Sequence, residues 1–416
     1  MTSFFGRLAA IACLACLCGC TGFKPNPVTW EDIASTIPAN PDYIASLNLD
    51  FEADSVLNNV WGDNDMAALL TMGLNLDTVR PPHVVVARVS GTTYVTWPLQ
   101  TPRLVNDNLA DWPTASLNNT VDAHMRVLGD ASIVISSTQA WVVNSEHGAD
   151  NVNDLLSAAM NTKAVHVQPY ARCIASTPKA ATVVVPYENR YYVAQLNHED
   201  GLVRVDVDAY NKADKRIDLV QGLGRLPYEF INDVSPRSPF AAIQIDKGSM
   251  PQLIVRLAKL SGKKSIKLAS QLVAPLFEAA SGTVTAFWDT KELKVRVPFD
   301  SREAVLTAKK SLETILKTDD RHFDLKNIGD ILEISTPVKD KMPEIGRDRM
   351  TPHLHSQTEN PAAIAFARFD LKDDDSVTAY FELAPSHARL QIDFKESATN
   401  LAETLDFIKT IIFRVL

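Results

Sequence analysis

The chain has 416 residues, 46% of them hydrophobic, with 41 Lys and Arg against 50 Asp and Glu and a formal charge of −9. Apolar content of this order supports a packed core and excludes a wholly disordered chain. The length predicts two or three domains, and the acidic balance excludes a nucleic-acid partner, whose phosphates require a net basic face.

The first element is a signal. Arg7 is the only charge before an apolar run from Leu8 to Leu17. That run is too short for a bilayer-spanning helix, which needs roughly twenty residues, but it suits a secretory h-region. It closes on Leu17-Cys18-Gly19-Cys20. This resembles the lipobox of bacterial lipoproteins, in which the last Cys is lipidated and becomes the mature N-terminus. The resemblance implies cleavage before Cys20, removal of residues 1–19, and membrane attachment through lipid, palmitate included, on Cys20. Cys18 departs from the usual Ala or Ser but is still small. The mature chain then has 40 Lys and Arg against 50 Asp and Glu, a formal −10. Of the five cysteines, Cys13, Cys16 and Cys18 leave with the signal, so Cys173 stands alone beside Cys20 and no intrachain disulfide framework is expected. Cys173 reads as a small buried hydrophobe rather than a reactive thiol.

Residues 20–40 carry Pro25, Pro27 and Pro38 among polar residues and read as a tether. About twenty flexible residues have an r.m.s. reach of roughly 25 Å. No acidic residue occurs after Cys20 until Glu31. By comparison with surface-exported lipoproteins of Bacteroidota type, which carry acidic residues there, this favours the outer membrane facing the periplasm.

A strand is predicted at Tyr43–Asp50, with helices around Asp54–Trp61 and Asp65–Gly73. A hairpin follows, His83–Val89 and Thr92–Trp97 about Ser90-Gly91. Ala131–Ser136 and Gln139–Asn144 form a second strand pair, and Asn151–Asn161 reads as helix. Strands fill Thr182–Tyr210, with Asp200-Gly201 as a turn and Val203, Val205 and Val207 in alternation with charged residues. Phe240–Asp246 is a strand, Met250–Leu260 and Ile266–Ala280 are amphipathic helices, and Thr285–Trp288 opens a hairpin that returns through Leu293, Val295, Val297 and Phe299. A helix covers Ser301–Leu316. Ala362–Asp370 and a hairpin from Thr378 to Phe394 precede a final helix carrying Leu401, Leu405, Ile408, Ile412 and Val415.

Tyr43–Asp50, Phe240–Asp246 and Ala362–Asp370 echo one another, each an apolar strand closing on Asp. The later hairpins both begin Thr-Ala-aromatic-aromatic. The expected fold is therefore α+β: antiparallel sheets built from hairpins, with helices packed on one face, in repeated units. The expected organisation is signal 1–19, tether 20–40, an N-terminal α+β domain 41–235, a second unit 236–338, a loop 339–361, and a third hairpin–helix unit 362–416 packed with the second. Ile37-Pro38-Ala39-Asn40-Pro41-Asp42 and the strand after it, following a lipobox, also resemble the opening of uncharacterised envelope lipoproteins of Bacteroidota. That resemblance covers about the first fifty residues and carries no activity.

No catalytic constellation emerges. Gly-x-Ser-x-Gly, His-Glu-x-x-His and the phosphate-binding loop are absent from the sequence. Gly222-Leu223-Gly224 lacks a third glycine. Ser176-Thr177-Pro178-Lys179 and Ser261-Gly262-Lys263-Lys264 match the Ser-x-x-Lys of acyl transfer, without its partner motifs. His353 and His355, with His322, Asp320 or Glu359, could meet at a metal only through tertiary folding, and Asp373-Asp374-Asp375 lacks a calcium-loop pattern. Tyr191, Tyr192, Trp97, Trp141 and Trp288 read as core aromatics, with a glycan platform as the alternative on a wet face. The sequence thus favours a lipid-anchored envelope protein that is non-enzymatic, needs no cofactor or metal, and binds a protein or glycan partner or serves a structural role. The alternatives are a hydrolase whose site forms only in the tertiary fold, and a carrier of apolar cargo.

Overall fold

The computed structural model describes residues 40–49, 65–101, 111–117, 121–144, 168–199, 201–219, 223–227, 240–261, 270–289, 292–316, 323–337, 361–370 and 376–393, with positions 33, 36–38, 105 and 109 besides. The signal, Cys20, the predicted helices at Asp54–Trp61 and Asn151–Asn161, and the final helix lie outside these residues. Every strand pair whose register is resolved is antiparallel, and helices accompany the sheets, an α+β class. The described residues divide into two compact units: an N-terminal one of 33–201 and 205–217, and a C-terminal one of 202–204 and 218–393.

The N-terminal unit opens with β1 (Tyr43–Asn48), helix α1 (Asp65–Leu76) and the hairpin β2 (His83–Val89) and β3 (Thr92–Pro98). It continues through β4 (Thr114–Leu117), β5 (Val121–Leu128), β6 (Ala131–Ile135) and β7 (Gln139–Asn144). Helix α2 (Gln168–Ala175) and strands β8 (Ala181–Tyr187), β9 (Arg190–Glu199), β10 (Leu202–Asn211) and β11 (Arg216–Ile217) complete it. Strand order is β4-β5-β6-β7-β3-β2-β1-β8-β9-β10-β11.

Both faces of this sheet are covered. Val95, Trp97, Ile133 and Val142 share one face by register, and α1 lies on it. The fit is close: a Cβ on Gly73 would stand 2.5 Å from Ile133 Cδ1 and 3.0 Å from Trp97 Cζ2, so any side chain there would force its neighbours to shift. Ile44, Val85, Ala87 and Val184 share the opposite face, where α2 packs Tyr170, Cys173 and Ile174. Helices on a single face are not what this sheet shows, because side chains of both parities of β1 and β2 are buried and each face needs a cover. Ile33 and Ile37 are buried in the α2 core, so the chain joins the folded body within the segment read as tether.

In the C-terminal unit β12 (Phe240–Ile245) leads to α3 (Met250–Ser261), a 3-10 turn (Ala274–Phe277), β13 (Gly282–Asp289) and β14 (Glu292–Pro298). Then come α4 (Arg302–Leu316), β15 (Asp324–Ile328), β16 (Ile331–Pro337), β17 (Ala363–Asp370), β18 (Ser376–Ala384) and β19 (His387–Asp393). The order is β15-β16-β14-β13-β12-β17-β18-β19. Ile245, Val284, Val297 and Leu332 form a core with Met250, Phe277, Phe299, Val305 and Leu312 from the helical layer. The other face buries Ala242, Ile364, Phe366 and Tyr380 under Leu226. Of the predicted helix Ile266–Ala280, residues 270–273 are helical and lead into the 3-10 turn; Pro275 near its start lacks the amide a continuing helix would use.

Candidate functional site

Among the described residues, two buried polar constellations contain ionisable side chains in the arrangement that chemistry requires. The first lies where α2 ends against β1 and β2. Pro169 near its start and Tyr170, Cys173 and Ile174 at helical spacing are the reasons this segment is helical. Its last carbonyls need donors. His83 on β2, fully buried, stands with Nε2 3.0 Å from the Ile174 carbonyl oxygen and Nδ1 3.2 Å from Thr177 Oγ1. A carbonyl can only accept, so Nε2 carries the proton and Nδ1 accepts from Thr177. Asn48, opposite His83 in register, donates from Nδ2 to the Pro178 and Lys179 carbonyls at 2.8 and 3.0 Å. The segment after α2 is thus fastened to the sheet by three polar side chains.

This is a hydroxyl–imidazole pair, the form of an activated nucleophile. Its energetics serve the helix end instead. Burial lowers the His83 pKa to about 4, against a smaller opposing effect of the Ile174 carbonyl. A base held there is a poor match to proton abstraction near neutral pH. The linkage has a definite sign. Unfolded His takes a proton near pH 6.5 and folded His83 does not until about 4, so its contribution is complete above 6.5 and is lost as pH falls through that window. The loss approaches about 3 kcal/mol by pH 4. Urea unfolding at pH 7 and pH 4.5 should show a steeper loss in the wild type than in His83→Gln; equal slopes would remove His83 from this role.

Ser176 and Lys179, matched to Ser-x-x-Lys, are both exposed. The Ser176 hydroxyl donates to the Arg172 carbonyl at 2.6 Å, a helix-end bond rather than an acyl-transfer geometry. Cys173 is buried, donates to the Thr182 carbonyl across 3.3 Å, and is pushed up to about 12 by burial, which keeps it a thiol. On the same sheet face, Gln139 Nε2 donates to Thr36 Oγ1 at 2.9 Å and to Thr96 Oγ1 at 2.6 Å, satisfying groups that burial would otherwise leave bare.

The second constellation lies on β18 and β19. Glu382 and Tyr380 are almost fully buried and Arg389 nearly so. Glu382 stands directly opposite Arg389 in register, and Tyr380 donates its hydroxyl to Glu382 Oε2 at 2.5 Å. Burial, then the Glu382 carboxylate, drives the Tyr380 pKa up, while Arg389 opposes. Four strands from β18 in the same sheet, on β14, Arg296 Nε donates to Glu333 Oε2 at 2.8 Å and its guanidinium lies 4.8 Å from the Phe287 ring centre. These groups neutralise one another.

Trp97, Trp141 and Tyr191 are buried, as core aromatics. The side chain of Trp288 lies outside the described residues, as do Gly222, Lys264, His322, His353, His355, Asp320, Glu359 and Asp373 to Asp375. Leu223 forms a β-bridge with Ile245 and the Gly224 amide donates to the Gln244 carbonyl at 3.1 Å, an extended arrangement and not a phosphate turn. Among the described residues no cluster of three or more His, Cys, Asp or Glu could hold a metal, and no helix is long and apolar enough to cross a membrane. His83 sat within a predicted strand, and α2 was missed altogether, although Pro169 with Tyr170, Cys173 and Ile174 was a readable signal.

No protein-family model matches the chain, and no curated protein does. Among solved structures, crystal form III of TP0453 aligns over 81% of this chain and 99% of that one, at 9% identity and a TM-score of 0.22. A score this low carries no assignment of fold or role.

Proposed function

We propose that the protein is a lipid-anchored envelope protein that acts by binding or by structure rather than by catalysis. Leu17-Cys18-Gly19-Cys20 behind a short apolar run is the observation that carries the anchoring. The internal use of His83, Ser176, Cys173, Glu382 and Arg389 supports the non-enzymatic part, since each is committed to a helix end, a carbonyl or a cross-strand charge.

We also infer a repeated architecture larger than the hairpin units read from the sequence. Strands β1, β2, β3, β6, β7, β8, β9 and β10 have the neighbour order β6-β7-β3-β2-β1-β8-β9-β10. Strands β12 to β19, in the same chain sequence, have β15-β16-β14-β13-β12-β17-β18-β19. Helices α1 and α3 occupy the same place after the first strand of each. In this reading β4 and β5 are an insertion, and Ala363–Asp370 corresponds to β8 rather than to β1. Two like bodies on one lipid anchor suit a binding or scaffolding role at a membrane.

Metabolic labelling with palmitate tests the anchoring. Wild-type protein should incorporate label and sediment with membranes, and Cys20→Ala should lose both; label retained in Cys20→Ala would overturn the proposal.

A further inference from the structure

The described large hydrophobic side chains that stand exposed in the N-terminal unit are Val127, Leu128 and Tyr187. All three lie at one end of its sheet. Register traces that end: Tyr43 opposes Arg88, Thr93 opposes Asn144, Asn144 opposes Ala131, and Ala131 opposes Leu128. On the other side of β1, β8 runs to the same end and closes its turn with Tyr187 opposite Arg190. The end therefore presents the turns Gly129-Asp130, Ser90-Gly91 and Glu188-Asn189. Trp112 lies against Arg126 here, 5.6 Å from guanidinium to ring centre, and Tyr187 lies 6.4 Å from Tyr192.

We propose that this end of the sheet rests on the bilayer surface, with Val127, Leu128 and Tyr187 in the headgroup layer. The inference builds on the lipid anchor at Cys20. Ile33 is already buried in the core, so the covalent leash from Cys20 is thirteen residues, under about 47 Å when extended. A sheet about eight residues long spans roughly 27 Å. The leash therefore reaches either end, and surface chemistry selects between them. The opposite end offers Ser137 and Thr138, both exposed and polar, at the β6–β7 turn. The two apolar tips are six strand spacings apart, roughly 29 Å, so they make a two-point contact that stands the strands upright on the membrane. Aliphatic tips flanked by Tyr, Trp and Arg have the chemistry of an interface layer. Charge is near balance, Arg88, Arg126, Arg190, Lys212, Lys215 and Arg216 against Asp42, Asp65, Asp130, Glu188 and Asp214, the β10–β11 turn lying at this end too. Docking thus needs apolar contact with lipid, not anionic headgroups.

The test uses the full mature chain joined through the Cys20 thiol to maleimide lipid in phosphatidylcholine vesicles, with a photo-crosslinking amino acid at position 128, 187 or 137. Crosslinks to lipid are expected at 128 and 187, at least about tenfold above 137, with no increase when phosphatidylglycerol is added. Equal yields at all three positions, no lipid crosslink at 128 and 187, or crosslinking that requires phosphatidylglycerol would overturn the docking. Because the anchor is made chemically, failure of lipidation in cells would strike the proposed anchoring and leave this readout intact.

Discussion

Replacing Glu382 by leucine is expected to lower the stability of the C-terminal unit by about 3–5 kcal/mol. The reason is the charge left behind. Arg389 is 9% exposed and stands opposite Glu382, and Tyr380 loses the acceptor of its hydroxyl. A buried ion pair contributes little net stability, but an orphaned buried charge costs a great deal. The double change Glu382→Leu with Arg389→Met should therefore recover most of the loss. Tyr380→Phe should cost only about 1–2 kcal/mol. Urea unfolding of the four proteins checks the pattern. A single substitution as mild as the double one would show that Glu382 and Arg389 are not coupled.

The second large effect is expected at Trp97. Its side chain is fully buried and closes over Gly73 of α1. Trp97→Ala should cost about 3–5 kcal/mol, the sum of lost burial and a cavity that α1 cannot collapse into. Trp97→Phe should cost distinctly less. It keeps most of the apolar volume and removes an indole N–H that finds no hydrogen-bond partner among the described residues. Thermal melts rank the three proteins. A Phe variant as unstable as the Ala variant would show that the indole's full shape, not its burial, is what α1 requires.

These two sites differ in how readable they were. Trp97 sits in a strand whose apolar residues and Ser90-Gly91 turn mark a hairpin, and the structure places it in β3. β7 coincides with the predicted Gln139–Asn144, and α3 differs from prediction by one residue at its end. Glu382 gave no warning. It lies on a predicted strand, and nothing in Tyr380-Phe381-Glu382 says that the face carrying Tyr380 and Glu382 is buried. A period of two reveals that faces differ, not which face meets solvent.

The missed strands have separate causes. In β15 the sequence Asp324-Leu-Lys-Asn-Ile328 offers one inward apolar residue between charged or polar ones, too short a pattern to separate from loop. β5 had the signal, with Val121, Ala123, Met125 and Val127 in alternation before Gly129-Asp130, and could have been found. His83 as a helix-end donor could not. It acts on a carbonyl 91 positions away in sequence, a relation only the fold creates. The same holds for the sheet end that gathers Leu128 and Tyr187 from hairpins far apart in the chain.

The most direct measurement for the protein as a whole is mass spectrometry of the N-terminal peptide recovered from the membrane fraction of cells expressing the full chain. The expected chain begins at Cys20 and carries acyl and diacylglyceryl mass on it, with no peptide from residues 1–19. A chain that keeps Met1, or one cut elsewhere with a free thiol at Cys20, would contradict it.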